Sequence, residues 1–382
     1  MEIDSGRGLD YSISGKLYER LQVLEPENEP FAPVERIRAA ASPLLAWYEG
    51  HARILPWRER PEPYRVWISE IMLQQTRVEA VKPYFNRFME ELPDINALAQ
   101  VEEERLLKLW EGLGYYNRAR NLKKAAQMMV ENYGGHLPGS FEELQKLPGI
   151  GSYTAGAIAS IAFNIPVPAV DGNVLRVISR VLASGEDILK QSVKRQMEMY
   201  LKEAMPKDCA SGFNQGLIEI GAMVCVPNGE PKCKECPLSS LCRGRKRGLL
   251  DSIPYTGPKK PRRVEERTVF LVETGDMVAI EKRPDRGLLA SLYQFPNVEG
   301  RLGETDVRRL LESKGARVER VEPAGEAKHI FSHVEWHMTG YRILIKNALP
   351  GQYLFVHRQE IREKYPVPNA FSVYIKVING ES

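Results

Sequence analysis

A stretch punctuated by proline and glycine, Ser252-Ile253-Pro254-Tyr255-Thr256-Gly257-Pro258-Lys259-Lys260-Pro261, separates two parts of this chain whose hydrophobic patterns demand different architectures. Before it, from Val34 to about Leu241, apolar residues recur at helical spacing. Trp67, Ile71, Val78 and Val81 read as one face, Leu106, Leu107 and Trp110 as a second, and Phe213, Leu217, Ile220 and Val224 as a third. After it the period shortens. Thr268 to Glu273 and Met277 to Lys282 are β-rich runs joined by Thr274-Gly275-Asp276, a hairpin signal, and Val334, Trp336 and Met338 alternate with polar residues in a further strand. One amphipathic helix, Thr305 to Ser313, stops at Gly315. The expectation is an all-α body followed by a small α+β domain, and 382 residues suffice for two or three domains.

Composition narrows the class. With 27% charged and 43% hydrophobic residues, the chain is neither disordered, collagenous nor membrane-spanning. The uncharged stretch from Leu147 to Val170 has the length of a membrane span, but its three prolines and three glycines make it a loop-helix-loop. The first 36 residues hold eight acids against four bases and no apolar core, so neither a secretory signal nor a transit peptide is expected, and the protein reads as cytoplasmic. The expected layout is an acidic extension over 1–33, a helical domain over 34–250, a basic linker over 251–265 and a second domain over 266–382. Net charge is only +3, yet Arg243 to Arg263 carries eight bases and one acid, either a solvated linker or a nucleic-acid contact.

Four features carry chemistry. Leu147-Pro148-Gly149-Ile150-Gly151 lies between helical stretches at Phe141–Lys146 and Ser152–Phe163; its glycines allow a tight turn and bare N–H groups for a phosphate, or simply an αα-turn. Asp171, in Val170-Asp171-Gly172-Asn173-Val174, opens another helix, where an N-cap is the ordinary job. Glu70 lies one turn after Trp67, in the stretch Ser69 to Thr76 that runs along a helix whose apolar face includes Trp67 and Ile71. It borders the apolar face, so it is either a protonated general acid or a surface-edge ion-pair partner. Cys225, Cys233, Cys236 and Cys242 place four thiolates within 18 residues, a metal signal in a chain with only one other cysteine. Zinc competes with an iron-sulfur group here, although zinc ribbons pair two Cys-x-x-Cys knuckles and this segment has one. Cys209 reads as a small core residue.

Together these elements resemble the helix-hairpin-helix DNA glycosylases with an iron-sulfur loop, and within them the MutY-type adenine DNA glycosylases. The matching stretches run from Val34 to about Tyr374 and include Leu55-Pro56-Trp57-Arg58, Ser69 to Arg77, Trp110 to Asn121, Leu147 to Ala155, Val170 to Val174, Phe213 to Cys225 and Phe331-Ser332-His333. The resemblance implies a helix-hairpin-helix over 147–163, one 4Fe-4S cluster on Cys225, Cys233, Cys236 and Cys242, and a C-terminal α+β Nudix-like domain. It implies that a monomer acts on double-stranded DNA holding A:8-oxoguanine or A:G mispairs. Glu70 then matches the acid that protonates adenine and Asp171 the carboxylate facing C1′, with Tyr153 and Asn173 positioning it. Arg58 and Gln215 match the adenine pocket, and Gln75 and Tyr115 the wedge that fills the gap. Trp57, Thr76, Leu113, Gly149 and Gly151 match DNA-binding positions, and Phe331, Ser332 and His333 the lesion-reading segment. The first two cysteines have seven residues between them, where the family usually has six.

Two positions choose among activities. A lysine in the hairpin would attack the sugar and cut the strand; this chain has Tyr153 there, so base excision alone is expected. A Nudix hydrolase needs Arg-Glu-x-x-Glu-Glu for magnesium, and this helix reads Arg308-Arg309-Leu310-Leu311-Glu312-Ser313, which argues for recognition without hydrolysis. His329, His333 and His337, read as one strand, would span roughly 13 Å over each four residues, too far for one ion. A catalytically silent lesion-binding protein and an endonuclease III-like enzyme of other base specificity remain the alternatives.

Overall fold

The computed structural model describes residues 32–258, 261–347, 349, 351 and 353–381, so the acidic extension lies outside the described residues apart from its last two. In chain order the helices are α1 (Pro33–His51), α2 (Pro56–Glu59), α3 (Pro63–Leu73), α4 (Val78–Glu91), α5 (Ile95–Gln100), α6 (Glu103–Leu109), α7 (Asn117–Asn132), α8 (Phe141–Leu144), α9 (Ser152–Phe163), α10 (Gly172–Leu182), α11 (Gln191–Ala204), α12 (Ala210–Met223) and α13 (Arg243–Lys246). The first three start on prolines, whose fixed φ and missing N–H suit a first helical turn. Among the described residues no helix is long and apolar enough to cross a membrane.

The chain divides into two compact units, and not where the sequence pattern places the boundary. The first joins residues 32–71 with Leu137–Pro258. Its core takes Leu44 from α1, Val174 and Ile178 from α10, Met197 from α11 and Phe213 and Leu217 from α12. The expected linker is fastened to this unit: Ile188 donates its N–H to the Tyr255 carbonyl at 3.1 Å, and Arg180 Nε donates to Ile253 O at 2.7 Å.

The second unit joins Met72–His136 with the described residues beyond Pro258. Phe85, Phe88, Leu106, Leu107 and Trp110 are buried in its helical part, with Phe88 and Trp110 edge to face at 6.1 Å. Its strands are β1 (Arg263–Thr274), β2 (Met277–Lys282), β3 (Tyr293–Gln294), β4 (Asn297–Glu299), then, after α14 (Glu304–Ser313), β5 (Val318–Ile330), β6 (Val334–Ile345) and β7 (Leu354–His357); α15 (Arg358–Glu363) and α16 (Ser372–Asn379) close the chain. The sheet order is β3-β2-β1-β6-β5, with β4 on β1 and β7 on β2. β1 runs parallel to β6 and antiparallel to β2. It is buried on both faces, Val269 and Leu271 meeting Trp336 and Phe371 while Phe270 and Val272 meet Val307 and Leu311, which explains its near-continuous apolar run. β1 begins at Arg263, so the strand takes over the last three residues read as linker.

Inside this unit, polar contacts join α6, α7 and the turn between them to β3 and to loops of the C-terminal part. Lys108 Nζ donates to Tyr365 O at 3.1 Å, Val367 N to Glu111 Oε1 at 2.8 Å, Tyr293 Oη to Glu104 Oε1 at 2.9 Å, and Arg120 to Ala290 O. One reading needs correction. Trp67 and Ile71 do not share a helix with Val78 and Val81, because α3 ends at Leu73 and Gln75 turns left-handed with φ 59°. The carbonyls of Met72 and Gln74 leave the helical ladder and accept from Arg118, at 3.0 and 2.7 Å.

Candidate active site and nucleic-acid interface

In the first unit the last part of α3, the start of α9 and the N-terminus of α10 converge on two carboxylates. Glu70 is only 7% exposed and accepts from Tyr153 Oη at 2.7 Å. Burial pushes it up to about 7, reinforced by Asp171 and opposed by the Tyr153 hydrogen bond and the Arg58 charge. Tyr153 is driven well above the ordinary phenol range by burial and then by both carboxylates, so it stays a neutral donor. Asp171 is the N-cap of α10: Oδ1 accepts from Val174 N at 2.8 Å and Oδ2 from Asn173 Nδ2 at 2.7 Å. Capping and proximity to Glu70 coexist in this one side chain, and burial raises its pKa too.

Asn173 is itself held. Its Oδ1 accepts from Arg176 Nη2 at 2.9 Å, and Arg176 Nε donates to the Cys225 carbonyl at 2.8 Å. A Cβ at Gly221 would lie 2.6 Å from Asn173 Cβ, so only glycine lets α12 approach here. The amide orientation follows, its NH2 toward Asp171 and its oxygen toward Arg176.

Arg58 and Gln215, the positions expected to line an adenine pocket, meet directly, Arg58 Nε donating to Gln215 Oε1 at 3.1 Å. What the sequence reading missed is Glu219, one helical turn further along α12. It is fully buried and accepts from Arg58 Nη2 at 2.9 Å and from Arg53 Nε and Nη2 at 2.7 and 2.9 Å. Burial alone would raise its pKa, but the hydrogen bonds from Arg53 and Arg58 hold it down at about 2. Its spacing of four from Gln215 puts it on the same helix face but does not mark the buried ion pair. Trp57, read as a DNA contact, is 5% exposed and belongs to the core.

The hairpin turn forms as expected, although α8 stops at Leu144, short of Lys146. Gly149 has φ 79°, a conformation that favours glycine, whereas Gly151 caps α9 at φ −88° and faces open space, so the second glycine is not imposed by the backbone. Cys225, Cys233, Cys236 and Cys242 all line one pocket, walled by Val177, Ile220, Leu238 and Leu250. Arg180 Nη1 lies 3.3 Å from Cys225 Sγ. Burial pushes Cys236 up to about 12 and raises Cys233 and Cys242, with the neighbouring thiols adding to each shift. Among the described residues no trio of His, Cys, Asp or Glu closes on a single metal ion. Between Cys225 and Cys233 the chain bends at 227–229, after which Lys232 N returns to Val224 O at 3.0 Å. Cys209 is exposed at the start of α12 and is not a core residue. α13 follows the pocket and exposes Arg245 and Lys246.

The second unit holds the remaining candidates. Gln75 is exposed and Thr76 half-buried; Tyr115 is 51% exposed, with φ 48°. Leu113 is 6% exposed, so its side chain is core and only its backbone belongs to the turn beside Tyr115. Phe331, Ser332 and His333 form the turn between β5 and β6, which makes the three histidines members of a hairpin and not of one strand. Phe331 packs edge-on against Trp336 and His329, with centroids at 4.9 and 4.6 Å, and Ser332 Oγ meets Tyr115 Oη at 3.1 Å. On α14, Arg309 pairs with Asp306 at 3.8 Å.

Residues 68–203 match the HhH-GPD superfamily of base excision DNA repair proteins, and residues 268–377 match the NUDIX domain. The mouse adenine DNA glycosylase is 35% identical across 89% of this chain and 77% of its own length. The chain belongs to the adenine DNA glycosylase family. The human relative of that name is 36% identical, covering 84% of this chain and 69% of its own. Among solved structures, an endonuclease III trapped as a covalent intermediate with DNA is similar at a TM-score of 0.50 and 29% identity, over 57% of this chain and all of that one. A thermostable thymine-DNA glycosylase matches at 0.50 and 27%, covering 56% of this chain and 97% of its own. The helical glycosylase domain followed by a Nudix-like domain with a mixed sheet is thus the family architecture of this protein.

Proposed function

We propose that this chain extrudes adenine from double-stranded DNA in which it faces 8-oxoguanine or guanine, and hydrolyses its N-glycosidic bond without cutting the strand. The observation that carries this reading is the Glu70–Tyr153–Asp171 centre, one carboxyl buried enough to hold a proton near neutrality beside a second that is capped and hydrogen-bonded. As the C1′–N9 bond breaks, its electrons pass to the purine and Glu70 gives its proton to N7. Asp171, kept in line by Asn173 and Val174 N–H, stabilises the cationic sugar until water adds at C1′. Tyr153 offers no amine for a Schiff base. Arg58 and Gln215 line the adenine pocket, Gln75 and Tyr115 fill the gap, and the hairpin N–H groups with Arg245 and Lys246 hold phosphates in a salt-sensitive way. One chain supplies both carboxylates, so a monomer suffices. Incubating the protein with a duplex holding one adenine opposite 8-oxoguanine should give strand breaks only after alkali; breaks without alkali would overturn the monofunctional reading.

The four cysteines suit one 4Fe-4S cluster. Thiols raised this far by burial need a cationic partner to become ligands, they share one largely apolar pocket, and Arg180 already stands against Cys225. When bound, a cluster ties the 225–242 segment together, and no step of excision passes through it. The purified protein should be brown and carry about four irons per chain; stoichiometric zinc without iron in anaerobic preparations would refute the assignment.

Ser332 is the proposed reader of the lesion, because a hydroxyl can donate to the C8 oxygen of 8-oxoguanine and accept from its N7–H. Its bond to Tyr115 holds it beside the wedge. Ser332→Ala should reduce the preference for 8-oxoguanine over guanine opposite adenine by about 1–2 kcal/mol, read as the ratio of single-turnover rates.

A further inference from the structure

The exposed side chains of Gln75 and Tyr115 both stand on left-handed backbone, at φ 59° and 48°. Neither residue is glycine, asparagine or aspartate, so each conformation persists only where its surroundings impose it. One guanidinium contacts both turns. Arg118 Nη1 donates to Met72 O at 3.0 Å and to Gln74 O at 2.7 Å, the carbonyls that lead into Gln75. Its Nη2 donates to Leu113 O at 2.9 Å and Gly114 O at 3.0 Å, the carbonyls that lead into Tyr115. Trp110 Nε1 adds a second donor to Gly114 O at 3.1 Å. The Arg118 side chain also lies over the Trp110 and Tyr115 rings, at 5.3 and 5.8 Å from their centroids. Nη1 thus serves the turn at Gln75, while Nη2 serves the turn at Tyr115 and also reaches Thr76 Oγ1 at 3.5 Å, a two-nitrogen bridge that a lysine, with one nitrogen, cannot reproduce.

We propose that Arg118 is a positioning residue that locks Gln75 and Tyr115 together as a preformed wedge, so that it governs extrusion of the nucleotide and not cleavage of its glycosidic bond. This rests on the reading that the chain extrudes adenine. A free loop would have to order both turns at the moment of insertion, whereas the clamped pair meets the duplex already set. The carbonyls are satisfied before DNA arrives, and the side chains of residues 75 and 115 remain outside.

The test uses the full chain and a duplex carrying 2-aminopurine, an adenine analogue that brightens when unstacked, opposite 8-oxoguanine. Arg118→Lys should cut the fluorescence rise at saturating protein by roughly fivefold or more, with an equal drop in single-turnover adenine excision and an unchanged pH dependence of that excision. In a chain already carrying Gln75→Ala and Tyr115→Ala, the same change should cost less than about twofold further, because the residues it positions are gone. An undiminished fluorescence rise in Arg118→Lys overturns the proposal, and so does a full multiplicative loss in the triple variant, which marks a general structural role. Wild-type protein that gives neither brightening nor excision would instead defeat the extrusion reading itself, and the proposal with it.

Discussion

Asp171→Asn is expected to lower single-turnover excision of adenine by about 10³-fold or more while leaving affinity for the mispaired duplex within about threefold. The substitution keeps the shape of the cap, and Asn can still accept from Val174 N–H. It fails at the other oxygen. Asn173 Nδ2 points at Asp171 Oδ2, and Asn173 cannot turn over because its own oxygen is engaged by Arg176. An amide at 171 therefore sets NH2 against NH2 and also removes the negative charge that the developing sugar cation needs. Excision within tenfold of wild type would show that Asp171 is only a helix cap.

Glu70→Gln should lose about 10²–10⁴-fold in rate, the usual worth of a positioned general acid, and should do so in its own manner. Gln is a neutral isostere that still accepts from Tyr153 but has no proton to give. The same substitution should raise stability in alkaline solution. A carboxyl whose folded pKa is raised from its ordinary value to about 7 costs the native state progressively between those two pH values and by a constant amount above them. Removing it should gain on the order of 1–3 kcal/mol at pH 8 and little at pH 4, checked by denaturant unfolding at both. Equal stability of variant and wild type at pH 8 would mean that Glu70 is solvated. Lost activity together with gained stability is a combination that a merely structural glutamate does not give.

Much of this site is written locally, and the rest is not. The cysteine spacing, the Pro-Gly turn and the change of period at Ser252 are all short-range signals, because thiolate ligation, turn geometry and helix or strand periodicity each act over a few residues. Asp171 was legible as a helix start for the same reason. Glu219 was not, since a carboxylate on an apolar helix face announces a buried ion pair only once Arg53 and Arg58, more than 160 residues away, are seen to reach it. The break after Leu73 was hidden too. Left-handed Gln and Tyr have no sequence signature, and their stabiliser, Arg118, lies over 40 positions beyond the first turn it serves. Cys209 was misplaced because cysteine is usually buried, while here it opens a helix at the surface. The pairing of Met72–His136 with the Nudix-like domain rests on contacts such as Glu111 to Val367, which no local pattern encodes.

Glu70, kept protonated by burial, is the proposed acid that releases adenine. Single-turnover rates of adenine release from an A:8-oxoguanine duplex, measured from about pH 5 to pH 9 at saturating protein, test that role most directly. The expected profile falls about tenfold per unit above a break near pH 7, with the break set by the buried carboxyl. Glu70→Gln should show no such limb. A wild-type rate that stays level from neutral pH to pH 9 would contradict the account, because the proton it assigns to Glu70 would then be coming from elsewhere.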